Sequence, residues 1–114
     1  MTEWDSIQTV TRAMLDTMRA YEKTGIAPWT ARIALRDLVY QAGGLMKLDM
    51  QLHGERHLQG RTKEDILKDI EVELAEIVAV ALFAAHELNL DISEGFQRMV
   101  KSDQDKIACR SRDL

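Results

Sequence analysis

Nine consecutive apolar residues, Ile77 to Ala85, lie inside the stretch IEVELAEIVAVALFAAHEL (residues 70–88) and limit this chain's folds more than any other feature. A helix of that composition is apolar on every side for about two and a half turns. It must be enclosed by other helices, and in so small a domain by a second subunit as well. The run falls well short of the roughly 20 residues that span a bilayer. Three glutamates, Glu71, Glu73 and Glu76, lead directly into it. Carboxylates so close to a buried segment need a partner, because an unpaired buried charge is costly.

The rest of the chain supplies the enclosing helices. It has one proline and is rich in Ala, Leu, Met, Glu, Lys and Arg, which favours helix throughout. Apolar residues at spacings of three and four predict a first helix over about 3–23, ending near Gly25. A second is expected over about 29–53, with Pro28 in its opening turn and Gly43–Gly44 inside it. That glycine pair predicts either a kink or the close approach of another backbone. Thr62 with Asp65 reads as a capping pair that starts a third helix over 63–88, which "NLD" ends. Asp91 with Glu94 repeats the pattern for a fourth over about 92–108. The expected fold is all-α, a four-helix bundle forming a single domain over residues 1–114 and completed by homo-oligomerisation. Trp4 and Trp29 are expected to anchor packing at the starts of the first two helices.

Composition narrows the function. With 46% hydrophobic and 30% charged residues the chain is expected to fold. A net charge of −4 gives no general attraction to nucleic acid or to an anionic membrane. The lone Cys109 excludes a disulfide or a cysteine-based zinc cluster within one chain. Lys106, Arg110 and Arg112 beside it would favour a thiolate, yet no accompanying constellation points to a catalytic cysteine. No secretory signal is visible at the N-terminus, and a cytoplasmic location is expected.

On a helical wheel the third helix carries one apolar stripe of Ile66, Ile70, Leu74, Ile77, Ala81 and Leu88. Beside it Asp69, Glu73 and Glu76 form an acidic stripe that Val80, Phe83 and Glu87 continue. Glu73 and Glu76 therefore point along a wall that becomes apolar one turn later. Two glutamates one turn apart can converge on a hard divalent cation such as Mg²⁺, a basic partner can neutralise them, or they can line a solvated edge. Spacing alone leaves all three open. Asp49, His53 and His57 lie four apart, a transition-metal spacing, but Gly54 interrupts it and a solvated loop is expected. His86 reads as a surface or interface histidine.

From residue 70 to 106 the chain resembles the MazG-like, all-α nucleoside triphosphate pyrophosphohydrolases. The likeness rests on Glu73-Leu-Ala-Glu76, a buried apolar middle, "HEL", a short "NLDI" turn, and a last helix ending in "VKSDQDK". "LVYQAGGLMK" (residues 38–47) resembles the family's upstream "LVEEVGELxK" more weakly. The family pairs E-E-x-x-E on one helix with E-x-x-D on the next. Glu73 and Glu76 match the second element, with glutamate in place of the aspartate. Tyr40, Gln41 and Gly44 stand where the first element has its glutamates. The 28 residues between Gly44 and Glu73 suit the family's spacer.

What the resemblance implies is a helical dimer or tetramer that splits (d)NTPs into (d)NMPs and pyrophosphate with carboxylate-held Mg²⁺. Glu73 and Glu76 would be metal ligands, with Gln41 and Asp69 as further candidates and Lys101 near the substrate phosphates. The departures at Tyr40, Gln41 and Gly44 keep a second reading open: a MazG-fold oligomer without catalysis, serving as a nucleotide-binding, regulatory or protein-interaction module. Expected partners are a second copy of the chain and a nucleoside triphosphate; neither membrane nor nucleic acid is expected.

Overall fold

The computed structural model of the chain describes residues 6–112. Four helices follow one another: α1 (Ile7–Glu22), α2 (Ala31–Leu52), α3 (Lys63–Glu87) and α4 (Ile92–Arg112). The all-α expectation holds. Each of the first three helices opens on a hydroxyl cap that satisfies an otherwise orphaned N–H. Ser6 accepts from the Thr9 amide at 3.1 Å, and Thr30 accepts from Ile33 at 3.3 Å. Thr62 and Asp65 form a full capping box, each side chain accepting from the other's backbone N–H. At α4, Asp91 Oδ1 accepts from the Ser93 and Glu94 amides. Gly25, at φ +101°, follows α1, and Asn89 takes the left-handed conformation beyond α3.

Several boundaries differ from expectation. Thr30 caps α2, so Pro28 belongs to the preceding connection and not to the helix's first turn. α4 continues to Arg112, because "KIACRSR" holds no breaker and Arg110 and Arg112 suit the negative end of the helix dipole. Trp4 lies outside the described residues. Trp29 does anchor packing, presenting its ring edge-on to Phe83 with centroids 6.1 Å apart.

α2 and α3 form an antiparallel hairpin. At its open end Ala34 joins Val80, Phe83, Ala84 and the α1 residue Met18 in the core, with Met14, Leu15, Trp29 and Leu38 packed around them. At its loop end buried Gln51 donates its side-chain amide to the His57 carbonyl at 3.1 Å. Ile66, also at that end, is completely buried.

The wall facing α2 differs from the stripe expected to be apolar. Of the expected apolar stripe Ile66 is completely buried but Leu74 and Leu88 are exposed, whereas Val80 and Phe83 of the neighbouring stripe are buried, so the packed wall of α3 draws on both stripes. The apolar run is not enclosed on all sides either: Val78 is 54% exposed. Among the described residues α1 and α2 supply the main packing against α3, and α4 contains no buried residue. The radius of gyration is 17.9 Å, against about 13 Å for a compact chain of this length. Three apolar stripes consequently lie open: Leu35, Val39 and Met46 on α2, Leu67, Leu74 and Val78 on α3, and Phe96, Met99, Val100 and Ile107 on α4. No helix among the described residues is long and apolar enough to cross a membrane.

Candidate functional site

Asp37, Gln41 and Gly44 lie on α2 at i, i+4 and i+7, and therefore share the face turned toward α3. Glu73, Glu76 and Val80 lie at i, i+3 and i+7 on α3 and share the opposing face. Where the two meet, Glu73 lies against Gly44. A Cβ added at Gly44 would be 3.4 Å from Glu73 Oε1 and 3.6 Å from its Cδ. α2 is helical through Gly43 and Gly44, and what approaches Gly44 is this carboxylate side chain, not another backbone. These are ordinary van der Waals distances, so the carboxylate packs against the glycine and Gly44 itself brings no ligand atom to it.

That charge is poorly accommodated. Glu73 Oε1 is buried and has no hydrogen-bond partner. Burial raises the Glu73 carboxyl above the usual carboxylate range, and the neighbouring Glu76 and Asp37 raise it further. Gln41 Nε2 donates to Asp37 Oδ2 at 3.1 Å, so Gln41 is held by its own helix. Asp37 is the residue that sequence reading missed. Its signal was its position one turn before Gln41, on the face of α2 that carries the degenerate motif.

Two clefts flank this seam. One, of about 400 Å³, opens between α1 and the hairpin and is lined by Asp37, Gln41, Glu76 and a cup of apolar side chains. The other, of about 390 Å³, lies toward the α2–α3 loop and is lined by Lys47, Gln51, Arg61, Asp69, Glu73 and neighbours. In it Asp69 pairs with Arg61, which accounts for its charge without a metal. The hydrogen bond to Asp69 raises the affinity of Arg61 for its proton.

Of the residues suggested by sequence, the structure brings Glu73, Glu76 and Gln41 together along one seam and puts Asp69 at its loop end. Tyr40 is 77% exposed and turned away. Lys101 lies on exposed α4 beside Arg98, Asp105 and Lys106, and no α4 residue lines either cleft. His53 Nδ1 sits 3.2 Å from Asp49 Oδ1 at the C-terminal cap of α2. His57 Nδ1 accepts from the Gln59 amide, so its ring serves the loop. His86 is exposed, as is Cys109.

No protein-family model, curated protein or solved structure matches the chain. The site must be read from its own atoms.

Among the described residues Glu73 Oε1 is the buried side-chain oxygen without a partner, and such an atom suits a cation. The rest of the set falls short of Mg²⁺ as the resemblance implies it. Among the described residues no three His, Cys, Asp or Glu side chains are grouped so that they could hold a metal ion. Gly44 has no ligand atom, Tyr40 faces outward, and Gln41 offers only a neutral carbonyl oxygen, its amide nitrogen being donated to Asp37. A metal that must neutralise a triphosphate and activate water needs more negative ligands than this seam supplies.

Proposed function

We propose that this chain is the protomer of a MazG-like helical oligomer that has kept the bundle without the phosphohydrolase chemistry, and that it acts as a regulatory or protein-interaction module. The observation that carries this reading is the meeting of Glu73 with Gly44. The resemblance requires a carboxylate on α2 at that point, and the chain instead has the one residue that offers no side chain. The orphaned Glu73 oxygen is what favours the other reading, a divergent Mg²⁺-dependent nucleotide pyrophosphohydrolase. Pyrophosphate release separates the two. With a panel of NTPs and dNTPs and either Mg²⁺ or Mn²⁺, the wild type should release no more pyrophosphate than Glu73→Gln. Turnover clearly above that variant for any substrate would restore the enzyme.

The oligomer rests on the three open stripes. Apolar faces of this extent on separate helices are covered in water by another surface, and a second copy offers complementary stripes of the same chemistry. Light scattering should return two or four times the 13.0 kDa chain mass. A monomer at micromolar concentration would contradict it.

A further inference from the structure

The cleft between α1 and the hairpin has a division of chemistry that neither a hydrolase nor an interaction role explains. Its walls are Met14, Met18 and Tyr21 from α1, Ile26 and Trp29 from the α1–α2 connection, and Val80 from α3. Its polar end holds two carboxylates, Asp37 and Glu76, and the amide of Gln41. No lysine, arginine or histidine lines it.

The polar end is rich in acceptors. Asp37 and Glu76 are acceptors when ionised. Gln41 directs its amide nitrogen to Asp37 at 3.1 Å, and its carbonyl oxygen remains an acceptor. The Thr17 hydroxyl, also on the lining, donates to the Ala13 carbonyl of its own helix at 2.8 Å. A ligand that satisfies this end must donate hydrogen bonds and carry positive charge. A ligand that satisfies the walls must bring an apolar or aromatic body. Methionine sulfurs and an indole ring are favourable surroundings for both an aromatic body and a cation. About 400 Å³ suits a small molecule and is far too little for a folded partner.

We propose that this cleft binds a small amphipathic organic amine in its protonated form. The ammonium sits between Asp37 and Glu76 beside the Gln41 oxygen, and the apolar body lies over Met14, Met18 and Trp29. A free triphosphate is disfavoured here, because its charge would face two carboxylates with no cation between. The inference needs no metal and does not depend on whether pyrophosphohydrolase activity is present.

Phenethylamine is a suitable probe, with the neutral 2-phenylethanol and the anionic 3-phenylpropionate as controls of like size. Calorimetry and thermal melting are run on the full chain at neutral pH in EDTA. The amine should bind and raise the melting midpoint. The alcohol and the acid should bind at least about tenfold more weakly, as expected for loss of charge-assisted hydrogen bonds. The isosteric double variant Asp37→Asn/Glu76→Gln should weaken the amine by a similar factor and leave the alcohol unchanged. Equal binding of all three probes would overturn the proposal. So would amine binding untouched by the double variant, or no binding by the amine because a second subunit fills the cleft. Binding of nucleotides only when Mg²⁺ is supplied, with none of the amine, would assign the cleft to different chemistry.

Discussion

Replacing Phe83 with alanine should destabilise the protein by about 3–5 kcal/mol, the largest loss expected from a single truncation of this core. Phe83 is 3% exposed at the point where all the packed elements converge. It touches the cluster of Met18, Ala34, Val80 and Ala84, and it receives the edge of Trp29. Alanine would forfeit the transfer free energy of the ring and leave a cavity bounded by three helices that cannot all close on it. For a chain of this length total stability is roughly 6–17 kcal/mol, so the loss is a large fraction of it. Urea unfolding followed by circular dichroism should show a lowered midpoint at unchanged slope. Phe83→Leu, which keeps most of the volume, should cost far less. A cost below about 1 kcal/mol for the alanine would mean that Phe83 is not the centre of the core.

Glu73→Gln should have the opposite sign and should depend on pH. The folded state holds the Glu73 proton more tightly than the unfolded chain does, because burial, Glu76 and Asp37 all disfavour the carboxylate. The native state therefore binds more protons than the unfolded one between the ordinary carboxyl value of 4.5 and the raised folded value. Stability is greatest below that window and is lost as the pH rises through the folded pKa. Above that window the wild type carries the full penalty, and the neutral glutamine removes it. A buried acceptor left unsatisfied costs about 1–3 kcal/mol, and solvent screening of the partly exposed Glu73 points to the lower end. The midpoint should rise on the order of 4 °C at neutral pH. In EDTA the difference between variant and wild type should shrink as the pH falls toward 4.5 and vanish below it. The groups around this carboxylate are Asp37 and Glu76 on the seam, and Lys47, Arg61 and Asp69 in the loop-side cleft. A variant no more stable than wild type at pH 8 would mean that one of these cations already neutralises Glu73.

Much of the fold was legible because its signals are local. Thr62 with Asp65, Asn89 after α3, and the 3.6-residue spacing along α1 each act within a few residues of themselves. The burial of α3 was not legible in the same way. Its two stripes run side by side, and only the position of α2 decides which becomes the wall. At the open end of the hairpin the neighbouring stripe prevails, because its Val80 and Phe83 join Ala34 and Met18 in the core, while Ile66 keeps the first stripe buried at the loop end. Glu73 and Glu76 could be singled out from spacing alone, since i, i+3 fixes a shared face. What stands opposite them could not. Asp37 matches no motif position, and a glycine such as Gly44 does not announce in sequence that a carboxylate will lie against it.

The α2–α3 hairpin is fastened at both ends by unlike materials. A polar clasp from Gln51 to the His57 carbonyl closes the loop end, and the Trp29–Phe83 contact closes the other. Glu73 and Gly44 lie between these fastenings. A pair of helices anchored only once could swing apart and admit water to a misplaced carboxylate, as a pair of tweezers opens at its tips. Anchored twice, the pair can hydrate the buried Glu73 Oε1 only by bowing in the middle or by giving up one fastening. The two fastenings therefore hold the buried oxygen of that charge against Gly44.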